Sequence, residues 1–351
     1  MKNVLLLVCN GTEIYEAAAF FDVLGWAGSE GDTAVEITVA GTTPRVRCTF
    51  GLTLNPDRLL AEIDPKEYDA LAIPGGFEEF GFYEEAYSKQ VGDLILDFDA
   101  HKKPIAAICT GALAVGRSGA LAGRNATTYH LGNGVRRRQL ADFEANVMDE
   151  KVVRDGHIIT STAPASAMEV AFQLLEMITS RHNADKIRYL MGFPSICQLY
   201  NFLKLSDRIT TSGMPTEGEI PLIAQSGAEV VVSLVPEGVG TDLRSEPSFV
   251  NAAGLLFERV AVDFRSPRVD DFESFCRVMT KHNNRRIHLH CEANMRVSVF
   301  MALYNMIVEG QPENTAMSAV EEIWKPNEIW QAFIQKVLQQ YPRERSLCKF
   351  N

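Results

Sequence analysis

Two cysteines sit where a polypeptide could do chemistry. Cys109 closes the apolar run Ile105-Ala106-Ala107-Ile108 and is followed by Thr110-Gly111-Ala112. Strand, tight turn and helix in that order hold a nucleophile on an elbow at a sheet edge. A helix starting just after a thiol offers unpaired N–H groups and a partial positive charge, and both lower the thiol pKa. Pro74-Gly75-Gly76 ends another apolar run at the same edge. Its glycines let backbone N–H groups approach closely, as an oxyanion hole requires. Spacing alone leaves a second reading open, in which Cys109 is a small buried core residue.

The second cysteine lies in Ile287-His288-Leu289-His290-Cys291-Glu292-Ala293-Asn294-Met295-Arg296. A strand, a short loop and a helix start, with a cysteine first and an arginine last, make an anion cradle. Loop and helix N–H groups face the anion, the arginine clamps it bidentately and the thiolate attacks. Glu292, Ala293, Asn294 and Met295 form the ring, which holds no glycine; Asn294 is the residue best able to turn left-handed there. Glu292 opposes an anionic ligand unless it points outward. His288 and His290 alternate onto one strand face, as a metal pair could. The reading adopted has His290 bonding the loop backbone, with no metal and no cofactor.

Alternating elements must position both sites. Val4–Cys9, Val35–Gly41, Tyr68–Ile73 and Ile105–Cys109 are apolar throughout, as parallel strands covered on both faces are. Helical patterns over Glu16–Ala27 and Tyr87–Lys102 separate them, Ile158–Thr160 reads as a late strand, and Ala165–Ile178 is helical. A doubly wound sheet follows. After Arg181 the pattern changes, and a second α/β unit begins near Asp207. There Ile209–Thr211, Val230–Val235, Val260–Asp263 and Ile287–His290 read as strands, and Thr216–Ser226, Phe249–Leu255 and Arg296–Glu309 as helices. The expected fold class is α/β in two domains: a flavodoxin-like parallel sheet at 1–190, a connector at 191–205, and a smaller domain at 206–345.

The chain has 351 residues, 46% hydrophobic and 23% charged, with a net charge of −11. That composition suits a globular protein. The sign gives no general attraction to nucleic acid or an anionic membrane, so neither is expected as a partner. No apolar run is long enough for a membrane helix. The Met1–Cys9 start runs into a polar turn and reads as a first strand rather than a leader. The 7 scattered cysteines lack a CxxC pair, which points to a reducing, cytoplasmic setting.

The first half resembles the ThiJ/PfpI superfamily, with a class I glutamine amidotransferase-like fold. The resemblance rests on Gly11-Thr12-Glu13-Ile14-Tyr15-Glu16, Ile73-Pro74-Gly75-Gly76, Ala106-Ala107-Ile108-Cys109-Thr110-Gly111, Ala126-Thr127-Thr128-Tyr129-His130 and Val153 to Ser161. It implies Cys109 as nucleophile, Glu16 as its carboxylate partner and His130 as a nearby base. Gly76 and the Thr110 N–H would make the oxyanion hole, with Gly75 beside them. Glu13 reads as a solvated or capping residue and Cys48 as a packing residue. A protonated Glu16 can donate a hydrogen bond to the sulfur, which stabilises the thiolate and raises the carboxyl pKa. Such proteins include α-oxoaldehyde hydratases, deglycases, chaperones and oxidation sensors, and many dimerise. A small carbonyl compound or a glycated protein is the substrate this implies, with a homodimer as the assembly.

Residues 206–310 resemble the cysteine phosphatases of the dual-specificity type, on the Cys291–Arg296 loop, Thr211-Ser212-Gly213-Met214-Pro215-Thr216 and Val262-Asp263-Phe264. The loop has four residues between Cys291 and Arg296 instead of five, a ring closer in size to that of rhodanese-type sulfurtransferases. The resemblance implies a phospho-substrate and Asp263 as general acid, with Asp270 and Asp271 competing. The leading expectation is a cysteine hydrolase or hydratase fused to a phosphatase-like domain. The alternative is a redox or stress sensor, or chaperone, in which Cys109 is oxidised, joined to a sulfurtransferase-like or non-catalytic anion-binding module.

Overall fold

The computed structural model describes residues 1–238 and 245–341. The chain divides into two compact units, Met1–Met191 and Gly192–Asn351. Residues 342–345, where the second domain was expected to end, lie outside the described residues. Among the described residues no helix is long and apolar enough to cross a membrane, and Cys9, Cys48, Cys109, Cys276 and Cys291 are free thiols.

The first unit is built on a seven-stranded sheet. Its strands are β1 (Lys2–Val8), β2 (Val35–Gly41), β3 (Arg58–Leu59), β4 (Ala70–Ile73), β5 (Ile105–Ala107), β6 (Val152–Asp155) and β7 (Ile158–Ser161), in the spatial order β6-β7-β5-β4-β1-β2-β3. Every pairing is parallel except the edge hairpin β6–β7. The central strands are apolar along their whole length because both faces are covered. Phe20, Val23 and Leu24 of α1 (Ile14–Glu30), with Phe172 and Leu175 of α2 (Ala167–Ile178), bury one face. Leu94, Ile95, Phe98 and Leu113 bury the other.

The second unit carries a five-stranded sheet: β8 (Leu203–Lys204), β9 (Ile209–Ser212), β10 (Val230–Ser233), β11 (Leu256–Arg259) and β12 (Ile287–His290), in the order β8-β9-β12-β10-β11. Only the β8 edge is antiparallel. Of the connector read at 191–205, Met191 closes the first unit and residues 192–205 belong to this one. The strand expected at Val260–Asp263 lies earlier, at β11. Leu-Phe-Glu-Arg is a half-exposed edge strand, so it lacks the apolar run that marks buried strands, while Val260 and Val262 fill the core from a loop. The helix expected at Phe249–Leu255 is likewise earlier, at Glu246–Ala252.

The core of this unit is aromatic and centres on Phe300 of α3 (Met295–Ile307), which is fully buried. Its ring meets Phe275 and Phe333 at 5.5 Å between centroids, and Phe272 at 6.0 Å. Phe300→Ala leaves a cavity these stiff rings cannot close. The expected cost is about 3–5 kcal/mol, read as a lower urea midpoint at unchanged slope; a change under about 1 kcal/mol would mean that the core collapses around the site.

Candidate functional site

Cys109 sits just beyond the end of β5 with φ +54°, left-handed backbone that a non-glycine residue rarely adopts. Such strain persists only where the surroundings over-determine it. Here the Cys109 N–H donates to Ser161 O at 2.9 Å, and the Thr128 hydroxyl donates to Cys109 O at 2.8 Å. The helix α4 (Gly111–Ser118) starts two residues on. Gly111 lets it approach β4, since a Cβ there would lie 2.6 Å from Ile73 O.

Glu16, in the first turn of α1, is fully buried. Its Oε2 accepts the Gly75 N–H at 2.6 Å. Its Oε1 makes no other hydrogen bond, and Cys109 is the polar group it acts on. Burial raises the Glu16 carboxyl from 4.5 to about 8, against the Gly75 N–H, which lowers it. Burial also pushes the Cys109 thiol up, as does the Glu16 charge; the Thr110 N–H and hydroxyl pull it down. This corrects the expectation that the helix end and a neutral Glu16 together hold the sulfur ionised. Cys109 is 8% exposed, and desolvation outweighs the pull of the Thr110 N–H at the helix start. What favours the thiolate is the neutral form of Glu16, because the opposing charge is then gone.

The expected oxyanion hole is differently employed. The Gly75 N–H is taken by Glu16, and the Gly76 N–H donates to Thr110 Oγ1 at 2.8 Å. The Thr110 hydroxyl donates in turn to Gly76 O at 2.7 Å. The Thr110 N–H faces the sulfur itself.

A cavity of about 310 Å³ opens over Cys109, lined by Phe77, Tyr129, Leu131 and Arg136 among others. His130, the expected base, is exposed and does not line it. Its two neighbours do, because an extended chain turns alternate side chains to opposite sides. Tyr129 therefore stands where the histidine was placed. Arg136 was missed. Its guanidinium donates to Glu78 at 2.8 Å and lies 4.9 Å over the Tyr83 ring. The run Arg136-Arg137-Arg138 was the available signal. Cys48 is buried, as a packing residue is.

These features meet a family-level finding: residues 2–177 match the DJ-1/PfpI family model. The chain belongs to the DJ-1/PfpI family. Protein dj-1beta of Drosophila melanogaster is 29% identical over 188 residues, 53% of this chain and 94% of that protein. Protein DJ-1 homolog A of Arabidopsis thaliana is 30% identical over 236 residues, 67% of this chain and 58% of that protein. The crystal structure of Drosophila DJ-1beta covers 55% of this chain and 98% of its own at 28% identity, with a TM-score of 0.49. A solved DUF442 protein from Shewanella putrefaciens CN-32 covers 42% of this chain and 96% of its own at 27% identity, with a TM-score of 0.38.

Outside the DJ-1/PfpI match lies the Cys291 loop, between β12 and α3. Asn294 is left-handed, with φ +62°, and fully buried. Its Nδ2 donates to Asn201 O and Thr211 Oγ1, both at 2.8 Å. Asn201 Nδ2 donates to Ala293 O at 3.0 Å. Asn201 is thus an anchor of the loop that spacing did not reveal, since it lies about ninety residues away. Arg296 is buried and donates to Glu292, and Met295 O accepts the Ser298 hydroxyl. Cys291 is buried at the tip of β12.

Two expectations need correction in this unit. Asp263 is exposed and accepts the Arg265 N–H at 2.9 Å, so its carboxylate caps a turn. Its competitor Asp271 accepts the Arg268 N–H at 3.0 Å at a helix start. His290 does not bond the loop backbone: its Nε2 lies 2.6 Å from Glu246 Oε1, with both side chains buried. Burial alone would raise the Glu246 carboxyl, but His290 and Arg259 hold it below its ordinary value. His288 meets the Thr210 and Ser212 hydroxyls at 2.9 and 3.0 Å, and burial pushes it down to about 3. Among the described residues no group of three or more His, Cys, Asp or Glu is placed to hold a metal ion.

Two outcomes follow for the Cys109 site. A Cβ on Gly75 would lie 2.7 Å from Thr110 Oγ1 and 2.9 Å from Glu16 Oε2. Gly75→Ala should therefore slow alkylation of Cys109 by iodoacetamide at least tenfold by displacing both groups; an unchanged rate would show that the turn yields freely. Glu16 binds its proton more tightly folded, at about 8, than unfolded, near 4.5. The stability this contributes is complete below 4.5 and is lost as pH rises through 8. Denaturant titrations should show that loss in the wild type and not in Glu16→Gln.

Proposed function

We propose that the first unit is a cysteine-dependent hydrolase or hydratase of the glyoxalase or deglycase type. Its substrate is a small carbonyl compound or the carbonyl adduct of a glycated protein. The observation that carries this reading is a carboxyl raised to about 8 against a cysteine at the floor of an open cavity. Near neutrality Glu16 holds a proton, and a protonated acid beside a thiol can relay one. The Cys109 sulfur adds to the carbonyl carbon, the C=O pair moves to oxygen, and Glu16 gives its proton to that oxygen while taking the thiol's, leaving a hemithioacetal and Glu16 protonated again. Thr110 is the nearest source of oxyanion donors, once its hydroxyl turns from Gly76.

A second reading has its own observation. The cavity lining contains no histidine, Tyr129 standing where His130 was expected. Without that base, Cys109 suits a redox or stress sensor, oxidised by two equivalents of a hydroperoxide, each reduced to water or alcohol, to a sulfinic acid that accepts a hydrogen bond from Glu16.

For the second unit the reading is a phosphatase-like module that takes a phosphate-class oxyanion on Arg296 beside Cys291. The turn-capping role of Asp263 favours binding over fast turnover, and the short ring keeps sulfurtransferase chemistry as the competitor. A cytoplasmic homodimer is the setting proposed for the whole chain.

Incubation with methylglyoxal separates the readings of the first unit. Turnover by the wild type, abolished in Cys109→Ala and lowered about 10²–10⁴-fold in Glu16→Gln, supports the enzyme; no turnover by any of the three supports the sensor. For the second unit, hydrolysis of para-nitrophenyl phosphate lost in Cys291→Ser supports phosphatase chemistry, whereas sulfur transfer from thiosulfate to cyanide supports the alternative.

A further inference from the structure

The Cys291 loop carries a carboxylate of its own. Glu292 Oε2 lies 3.0 Å from Arg296 Nη2, four residues on across the loop. The two ends of this pair have different surroundings: the Arg296 side chain is 4% exposed and that of Glu292 is 47% exposed. Arg296 Nε is buried and has no hydrogen-bond partner. Glu292 therefore answers only part of a buried guanidinium, and an unanswered buried N–H on a cation is costly until a ligand completes it. A guanidinium offers neighbouring N–H groups as a planar fork that matches two oxygens of one oxyanion. The Arg296 guanidinium carbon also lies 5.5 Å from the Phe264 ring centroid, a contact separate from Glu292.

We infer that Glu292 is a tethered competitor for the oxyanion site, holding Arg296 until a phosphate-class dianion displaces it. The inference rests on the oxyanion reading of the loop given above. The bound carboxylate lowers the apparent affinity of any anion by the fraction of time Glu292 is away. It also sets a selection rule. A singly charged carboxylate offers no more than the group already there, whereas a tetrahedral dianion can satisfy the Glu292-bound N–H and the open Nε–H together. Glu292 is half-exposed, so it can swing into solvent without disturbing the core.

Calorimetric titration of the full chain with inorganic phosphate, tungstate and acetate tests this. Glu292→Gln removes the charge. Glu292→Asp keeps the charge and shortens the reach. Both variants should bind phosphate and tungstate about tenfold more tightly than the wild type, and acetate should become detectable only in the variants. If Glu292→Gln alone gains, the charge of Glu292 rather than its grip on Arg296 is responsible, and the inference falls. If the wild type binds and neither variant gains, it falls while the oxyanion reading stands. If no form binds an oxyanion, or Arg296→Ala binds as the wild type does, the oxyanion reading fails and takes the inference with it.

Discussion

The first unit depends on burying a carboxyl against a thiol. Two acids in one dry pocket cannot both ionise at modest cost: burial raises each, and the charge of Glu16 raises Cys109 further. The arrangement needs Glu16 on the first turn of α1, Cys109 on a left-handed elbow after β5, and Gly75 between them. These three come from different strand-to-helix connections. The parallel sheet brings them together because such connections gather at the carboxyl ends of the strands. Were the sheet antiparallel, the same motifs would lie at opposite edges.

The second unit solves a related problem with the opposite sign. Its β12 end gathers basic side chains: Arg296, buried in the loop, with the half-buried Arg259 and the buried His290 beside it. Glu246 answers two of them within the protein, at 2.6 Å to His290 and 3.2 Å to Arg259. Arg296 is left with a half-exposed glutamate and an orphaned Nε. The first group joins side chains that are mostly within the protein, whereas the partner of Arg296 is half in water and can leave it.

Much of this was legible in the residues. The apolar strands of the first unit and the two cysteines at strand tips follow from patterning, and Asn294 occupies the left-handed position foreseen for it. Among the readings that failed, three show why. His130 faces solvent because side chains alternate along an extended chain, and a one-residue shift exchanges cavity for water. Asp263 was chosen by type and neighbourhood, yet the Arg265 N–H holds its carboxylate. The strand at 256–259 is an edge, so its charged residues hid it from a search for apolar runs.

Local sequence determined which atoms are available: a thiol before a helix, glycines in a turn, a cysteine and an arginine five residues apart. These are short-range properties of backbone conformation and side-chain chemistry. The tertiary structure decided what those atoms do. Desolvation of Glu16, the neighbour of Cys109, the diversion of the Gly75 and Gly76 N–H groups and the pairing of His290 with Glu246 all join residues distant in the chain. Burial and electrostatics act through space, and only the packed fold sets those distances.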